Sequence, residues 1–580
     1  MVDHFADKED LEKEGVSSKI CILPTTKFGP MYPRYLLFTI ILLLAACQQS
    51  PDQEKTTSLA PQVMVSTAHP LATEAGLQVL ESGGNAFDAA VAIAAALNVV
   101  EPMMSGMGGY GTILIYDAGK KEVRFLDSSG KIPLAMNSDL MRPPTENWEE
   151  NRRGAKSIST PGNVNAWGAL SRIYGQKEWS TLFAPAIALA EEGFPVSARL
   201  EEMLSFSYDA FPDHAKAFYG RRGRPLQKGD TLVQKDLARS LRLLAQEGRS
   251  VFYEGALARK IDSTMRKTGS FLSIEDLRQD QAEWWEPIHV DYHGYRVYTA
   301  SPPANAFPAL LRLGLMRTVS DTLLPHNSVD YLHAYAEVTK HAFWARLRYA
   351  GDPEINPPPL DKLLSEAYWE EVIATLPMDS ASTFQPPNYV ATEGRNTTHF
   401  VVADQDGNIV SATQTLGNLF GSKVMPQGTG IWLNNSLAYC TYVPKGNPMD
   451  AIPGQRKLSG DCPTIIFQND RPVAALGTPG GHTIAQTVPQ MVMNLLDYEM
   501  DISSAIAAPR VSFVEPNFLA VEEELPPEVI NTLEERGHML RRNAKLGNAH
   551  GLTLHYAADG TFKGYRGAAD PRGEGMAKGF

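Results

Sequence analysis

The chain has 580 residues, 43% hydrophobic and 21% charged, with a formal net charge of −13. This is ordinary globular composition, enough for one large or several medium domains. An acidic balance without a basic run leaves no electrostatic footprint for nucleic acid, so that class of partner is set aside.

Forty-six glycines and forty prolines point to many turns and a loop-rich α/β or α+β build. The four cysteines are Cys21, Cys47, Cys440 and Cys462. No Cys-x-x-Cys and no His-Glu-x-x-His occurs, so a metal site has no sequence support. Cys440 and Cys462 either pair in an oxidising compartment or stay as two buried free thiols, and both readings are open at this point.

In chain order, residues 1–30 are mixed and charged. Leu36 to Ala46 is a short apolar run behind the basic Met31-Tyr-Pro-Arg34 segment. It is too short to span a bilayer, which takes about 20 apolar residues, and fits a secretory h-region. Met31 is then expected to be the true start. The run ends Leu44-Ala45-Ala46-Cys47, which resembles a bacterial lipobox with cleavage before Cys47 and lipidation of its thiol. The alternative is a signal peptide cut near Ala46 without lipid. Residues 1–46 are thus read as leader and signal peptide, and 47–63 as the lipidated Cys47 with a polar tether.

The ordered body is expected from Met64. Leu71 to Leu80 reads as a helix ended by Gly83-Gly84. Asp88 is expected to cap a second helix, apolar all round and therefore buried, through Val100. Gly106, Gly108 and Gly111 match Gly-x-Gly-x-x-Gly, but a helix precedes them and a strand, Thr112 to Tyr116, follows. A dinucleotide fingerprint requires the reverse order, so close backbone packing at a tight turn is the better reading. Residues 155–350 are mostly helical in pattern, with Ala184 to Glu192, Lys235 to Glu247 and Ser328 to Tyr349 the clearest helices. Ile288 to Tyr298 reads as a strand-like stretch. His333 and Glu337 have i,i+4 spacing, and a solvated or packed polar face is the expected role. Residues 354–392 are rich in Pro and Ser and read as a mobile, extended approach to the next segment.

That segment is Asn396-Thr397-Thr398-His399, the head of a strand running into Phe400-Val401-Val402. Asp406-Gly407 between apolar runs is a hairpin signal. A two-residue loop would pair Thr398 with Thr415 and turn Thr397 and Thr415 to opposite faces. One extra residue, as in a bulge at Gly407, puts both hydroxyls on one face. If Thr415 supports Thr397, the loop must contain that bulge. An N-terminal threonine holds nucleophile and base in one residue, because its α-amine (pKa ~8) accepts the hydroxyl proton. The amine exists only if the Asn396–Thr397 bond is cut, and the same hydroxyl can cut it. A Thr-Thr-His triplet is not specific, and pattern alone favours a threonine that simply begins a hairpin. Gly477-Thr478-Pro479-Gly480-Gly481-His482 follows a strand and precedes a helix, Thr483 to Tyr498. Consecutive amides at such a turn form an anion-binding nest suited to an oxyanion hole.

These pieces together resemble the γ-glutamyltransferases (glutathione hydrolases) of the N-terminal-nucleophile hydrolase superfamily. The resemblance runs from Met64 to Phe580. It is carried by Ser82 to Glu101 (SGGNAFDAAVAIAAALNVVE), PAIALAEEG ending at Gly193, Gly351-Asp352-Pro353, Thr397-Thr398-His399, Asp406-Gly407-Asn408, GIWLNN from Gly430, Pro463-Thr464-Ile465, TPGG from Thr478, and Ala569-Asp570-Pro571-Arg572. It implies a four-layer αββα sandwich, cut into a large subunit (64–396) and a small catalytic one (397–580) that remain a heterodimer. It implies Thr397 as nucleophile and cleavage residue, Thr415 as its support, Gly480 and Gly481 as oxyanion donors, and no metal or organic cofactor.

The substrate clamp departs from the family pattern. Ser129 stands where glutathione-active members place an arginine for the glutamyl α-carboxylate. Gly417, with Asn418 beside it, stands where an asparagine is expected. Ser436 and Tyr439 occupy the positions of an acidic or amide residue and of the aspartate that takes the α-amine. Of the usual Ser-Ser pair, Ser459 remains and Gly460 replaces its neighbour. A charge-assisted bond contributes roughly 1.5–3 kcal/mol, so losing two weakens γ-glutamyl binding by orders of magnitude unless Lys131, Arg456 or Lys457 substitutes. Arg456 and Lys457 read first as a solvated charge pair. The expectation is a lipid-anchored amide hydrolase or acyltransferase of the cell envelope, an outer-membrane lipoprotein facing the periplasm. It would act by ping-pong acyl transfer on γ-glutamyl-type amides or peptides with an altered acyl pocket. The alternatives are an acylase on another amide and a non-catalytic binding lipoprotein.

Overall fold

A computed structural model describes residues 58–384 and 396–580. The segments expected to be signal peptide and tether, Cys47 included, lie outside the described residues up to 57, as does 385–395. No helix among the described residues is long and apolar enough to cross a membrane.

Two antiparallel sheets form the middle of the molecule. The first has seven strands in the order Met576–Gly579, Met64–Thr67, Asn396–Ala403, Ile409–Gly417, Tyr110–Asp117, Glu122–Asp127, Glu283–Trp285. The second has six, in the order Phe562–Ala569, His550–Tyr556, Arg471–Gly477, Thr464–Gln468, Tyr295–Thr299, Ile288–Tyr292. Side-chain alternation sorts the central strands between two cores. Phe400, Val402, Val410 and Ala412 join a core with the helices Pro70–Glu81 and Ala86–Val100. Val401, Ala403 and Ile409 face the other way, into a core shared with Ile465, Ala475 and the helices Phe307–Thr318, Val329–Tyr349 and Ile484–Leu496. Helices, sheet, sheet, helices is the expected four-layer order.

Most elements form where the sequence places them. The helices Ala184–Glu192 and Lys235–Glu247 end at Gly193 and Gly248, which take φ of 85° and 72°. Such left-handed angles are open to glycine at little cost. The helix Ala86–Val100 is buried along its whole length. Its N-cap is Asn85 rather than Asp88: the Asn85 side chain accepts from the Phe87 and Asp88 amides, and Asp88 reaches back to the Asn85 amide in a capping box. Ile288 to Tyr298 is a hairpin rather than one strand, because His293 and Gly294 both take positive φ and turn the chain. The approach from 354 is not extended throughout, since Leu360–Leu363 and Glu366–Ile373 are helical. Gly108 and Gly111 serve close packing as expected. A Cβ on them would meet the Trp432 carbonyl at 2.1 Å and the Thr413 carbonyl at 2.6 Å.

Candidate active site

Thr397 lies at the head of the central strand Asn396–Ala403. The register pairs Thr397 with Thr415 and Ala403 with Ile409. Asp404 closes the turn on Asn408, donating its amide to the Asn408 carbonyl at 3.1 Å, and Gly407 takes φ of 85°. The loop therefore carries the extra residue, and both threonine hydroxyls share one face. Successive side chains divide accordingly. Thr398 Oγ1 points to the helical layer and donates to the buried Glu101 carboxylate at 2.8 Å. His399 is buried against the second sheet, Nδ1 2.8 Å from Thr413 Oγ1. Burial, with His550 adding to it, holds its pKa well below the usual range, so the imidazole stays neutral.

Around the Asn396–Thr397 bond the hydroxyls form a directed chain. Thr397 Oγ1 donates to Thr415 Oγ1 at 3.2 Å, and Thr415 Oγ1 donates to the Asn396 carbonyl at 2.7 Å. The Gly417 amide donates to Thr415 Oγ1 at 2.8 Å. One donor and two accepted bonds fill the capacity of the Thr415 hydroxyl. The sheet register shifts between Asn396 and Thr397, which places this peptide at a break in the ladder.

The strand Arg471–Gly477 of the second sheet delivers Gly480 and Gly481 to the same place. They take φ of 144° and 62° and lead through a short 3-10 turn, Gly481–Thr483, into the helix Ile484–Leu496. Thr483 Oγ1 donates to the Gly480 carbonyl at 2.9 Å, fixing the turn. Among the described residues no carbonyl accepts from the Gly480 or Gly481 amide. Both glycines line cavities that Thr397 also lines. Thr397 thus stands between an inner cavity, bordered by Gly481, and an outer groove of about 700 Å³, bordered by Gly480, Arg199, Arg541 and Lys545.

The inner cavity brings together Thr397, Thr415, Gly417, Tyr439, Ser459, Gly460 and Gly481. Ser129, Ser436 and Asn418 do not line it. Ser129 Oγ lies 2.8 Å from both carboxylate oxygens of Asp127. Ser436 Oγ is bonded to Ser159, and the Asn418 amide donates to Asn435 Oδ1 at 2.8 Å. Gly417 and Tyr439 are matched: a Cβ on Gly417 would meet Asn435 Oδ1 at 2.3 Å and Tyr439 Cε2 at 2.8 Å. The tyrosine ring leaves no room for a side chain at 417.

Arg456 and Lys457 are not a solvated pair. Arg456 binds Glu283 at 2.5 Å, Glu354 at 2.8 Å and Asp352 at 3.2 Å, and stacks on Trp285. Lys457 is 4% exposed and lines the inner cavity. Its ammonium lies 4.4 Å over the Tyr110 ring and 3.3 Å from the Tyr110 hydroxyl. Burial pushes its pKa down to about 8, against the pull of Cys440, Asp461 and Asp127. Tyr110, Arg346, Asp461 and His482 also line this cavity, and sequence reading missed all four. Asp461 and Lys457 sit in Lys457-Leu-Ser459-Gly-Asp461, around a serine that was singled out, and that proximity was the available signal.

His333 and Glu337 are buried and separate from this site. His333 Nδ1 is 2.9 Å from His538 Nε2, and Glu337 holds the Lys340 ammonium at 2.7 Å. The three ligand-type residues cluster, but Lys340 already supplies the positive charge there. Cys440 and Cys462 are buried free thiols.

A family model described as gamma-glutamyltranspeptidase matches residues 72–580. The chain is 33% identical over 560 residues to the glutathione hydrolase proenzyme of Bacillus subtilis (strain 168), spanning 92% of this chain and 94% of that one. It is 34% identical over 525 residues to the acylase ACY 1 proenzyme of Pseudomonas sp. (strain V22), spanning 88% and 93%. Among solved structures, it superposes on a cephalosporin acylase from Bacillus halodurans with a TM-score of 0.82 at 29% identity, covering 92% of this chain and 98% of that one. It matches Helicobacter pylori gamma-glutamyltranspeptidase with a TM-score of 0.53 at 32% identity, covering 58% and 97%. With the family model spanning most of its length and a buried threonine pair at the head of the central hairpin, the chain belongs to the gamma-glutamyltranspeptidase family.

Proposed function

We propose that the chain is a self-cleaving amide hydrolase and acyltransferase acting on γ-glutamyl-type amides, with Thr397 as nucleophile. The hydroxyl chain Thr397–Thr415–Asn396 carries this reading. In the precursor, Thr397 Oγ1 attacks the Asn396 carbonyl carbon while Thr415 donates to the carbonyl oxygen as it becomes anionic. The Oγ1 proton passes to the Thr397 nitrogen, the C–N bond breaks, Asn396 becomes an ester on Thr397 Oγ1, and the Thr397 amine is released. Water hydrolyses the ester, leaving an Asn396 carboxylate and a free Thr397. The two fragments stay together because residues 397–403 and the strand Ile409–Gly417 of the small one pair with Met64–Thr67 and Tyr110–Asp117 of the large one.

In the mature protein the Thr397 α-amine takes the hydroxyl proton, and Oγ1 attacks the substrate amide. The Gly480 and Gly481 amides hold the tetrahedral oxyanion. The leaving amine departs through the outer groove with the proton from the Thr397 ammonium. Water or a second amine then enters by the same groove and takes the acyl group from Thr397. No metal or organic cofactor takes part in these steps.

A second reading is an acylase on a non-γ-glutamyl amide. It is favoured by Tyr439 and Met449 in the inner cavity and by the capture of Ser129 by Asp127. Steady-state turnover by the cleaved protein on a panel of anilides, γ-glutamyl anilide included, separates the two. No turnover of any amide by cleaved protein would leave the binding-protein alternative. We also propose that Cys47 carries lipid and tethers the heterodimer to the outer membrane on its periplasmic side. The Leu44-Ala45-Ala46-Cys47 motif supports this, and mass spectrometry of the mature N-terminus tests it.

A further inference from the structure

The inner cavity holds two buried ionisable groups that the chemistry at Thr397 does not use. Lys457 is 4% exposed and Asp461 2% exposed. Both line the cavity beside Thr397 and Ser459. Among the described residues no carboxylate lies within ion-pair distance of the Lys457 ammonium, whose hydrogen-bond partner is the neutral Tyr110 hydroxyl at 3.3 Å. The Tyr110 and Tyr439 rings, 4.4 and 5.9 Å from the ammonium, hold it without neutralising it. Asp461 Oδ2 accepts from Thr112 Oγ1 at 3.2 Å, and no cation is paired with it among the described residues. Thr112 Oγ1 also contacts Ser459 Oγ at 2.8 Å, tying the acid to the serine on the cavity wall.

A buried ammonium and a buried carboxyl group that face one cavity without pairing are costly to keep. They are explained if a ligand supplies the missing partners. The positions at which the family pattern places an arginine and an aspartate are Ser129 and Tyr439, and neither offers a charge. The same two signs of charge reappear in this chain on the Lys457–Asp461 segment.

We propose that Lys457 and Asp461 form the acyl-group clamp, the ammonium taking a carboxylate and the carboxylate an ammonium on the acyl group presented to Thr397. The substrate class is then an amide whose acyl part is a zwitterionic amino acid. This inference rests on Thr397 being the nucleophile. It deepens the proposed function by favouring γ-glutamyl-type groups over uncharged acyl groups, despite the missing arginine and aspartate.

The test uses three p-nitroanilides and the cleaved full-length heterodimer: γ-glutamyl, glutaryl (no ammonium) and 4-aminobutyryl (no carboxylate). Lys457→Met is expected to lower the kcat/KM ratio of γ-glutamyl to 4-aminobutyryl anilide at least tenfold, mainly through KM. Asp461→Asn is expected to lower the ratio of γ-glutamyl to glutaryl anilide at least tenfold. Cleavage into two fragments reports that each variant has folded, and Lys457→Gln replaces Lys457→Met if the latter is not cleaved. Ratios unchanged in cleaved variants would overturn the clamp and leave Thr397 chemistry standing. Absence of turnover on all three by cleaved wild type would overturn the amide-hydrolase reading and the clamp with it.

Discussion

The Thr415 hydroxyl donates to the Asn396 carbonyl at 2.7 Å while it accepts from the Thr397 hydroxyl at 3.2 Å. In the proposed self-cleavage, one side chain would thereby orient the attacking oxygen and polarise the carbonyl under attack. Thr415→Val keeps the shape and removes both bonds. Loss of one oxyanion donor typically costs on the order of 100-fold in rate, so precursor should persist about that much longer on a timed denaturing gel. Thr415→Ser should cleave at close to the wild-type rate. Equal cleavage rates for Thr415→Val and wild type would remove Thr415 from the mechanism.

Gly480 takes φ of 144°, and a Cβ there would meet Thr483 Oγ1 at 2.3 Å. Gly480→Ala must move the turn that aims the Gly480 and Gly481 amides. The expected result is a fall in kcat on the order of 100-fold with a small change in KM, read on the best anilide of the panel. A change confined to KM would mean that these amides do not meet the oxyanion.

Gly417 and Tyr439 are expected to be energetically coupled. Gly417→Asn adds a side chain at φ of 97° where the Tyr439 ring already lies 2.8 Å from the Cβ position. It should destabilise the fold by about 1–3 kcal/mol from backbone strain and the clash. In a Tyr439→Ala background the penalty should shrink, with a coupling of about 0.5–3 kcal/mol by denaturant unfolding. Strict additivity would show that the two departures from the family pattern are unrelated.

The pH dependence follows from three groups. Burial pushes the Asp461 carboxyl up to about 7, against the nearby Lys457 charge and the Thr112 and Ser459 hydroxyls. Burial pushes Lys457 down to about 8; Cys440, Asp461 and Asp127 raise it and Arg346 lowers it. Asp461 is charged above its pKa and Lys457 below its own, so under the proposed clamp a zwitterionic acyl group should bind the free enzyme best between about 7 and 8. The Thr397 amine works as a base only when neutral, above ~8. Thus kcat should rise through about 8 while KM worsens on both sides of that window. In Asp461→Asn the acid-side rise in KM should vanish.

Arg510 and Asp570 form a fully buried ion pair at 2.8 Å. Burial raises the Asp570 pKa, but the Arg510 and Arg572 charges and the Ala549 and Arg572 amides outweigh it and bring the carboxyl down to about 2. A depressed folded-state pKa means stability present above the unfolded value of ~3.9 and lost as pH falls through about 2. Asp570→Asn should destabilise by about 3–5 kcal/mol at neutral pH, because Arg510 is left buried and uncompensated. The thermal midpoint of the variant should also depend less on pH below 4 than that of the wild type.

Much of this was legible in the sequence. Periodicity and glycine stops located the helices Ala184–Glu192 and Lys235–Glu247, and the Asp406-Gly407 turn located the hairpin. The bulged loop was stated as a condition for Thr415 to reach Thr397, and the register meets it. The pocket was harder to read because its walls come from distant segments. Tyr110, Arg346, Lys457 and Asp461 are far apart in sequence or, for the last two, straddle a serine, and nothing in periodicity shows that they share a cavity. Lys457 looked like half of a surface pair because Arg456 precedes it. On the strand-like Arg456–Ser459 stretch neighbouring side chains part, so Arg456 meets Glu283 and Asp352 while Lys457 turns inward. The Lys457 ammonium is covered by Tyr110 of the first sheet and by Tyr439, both distant in sequence, which no local pattern records.

The central claim is that the Asn396–Thr397 bond is cut by Thr397 itself. It is tested most directly by intact-mass analysis and N-terminal sequencing of the purified wild type and of Thr397→Ala. Wild type is expected to give two fragments, the smaller beginning with an unmodified Thr397, and Thr397→Ala a single uncleaved chain. A wild type that stays whole, a small fragment beginning elsewhere, or a Thr397→Ala chain cut at the same bond would contradict it.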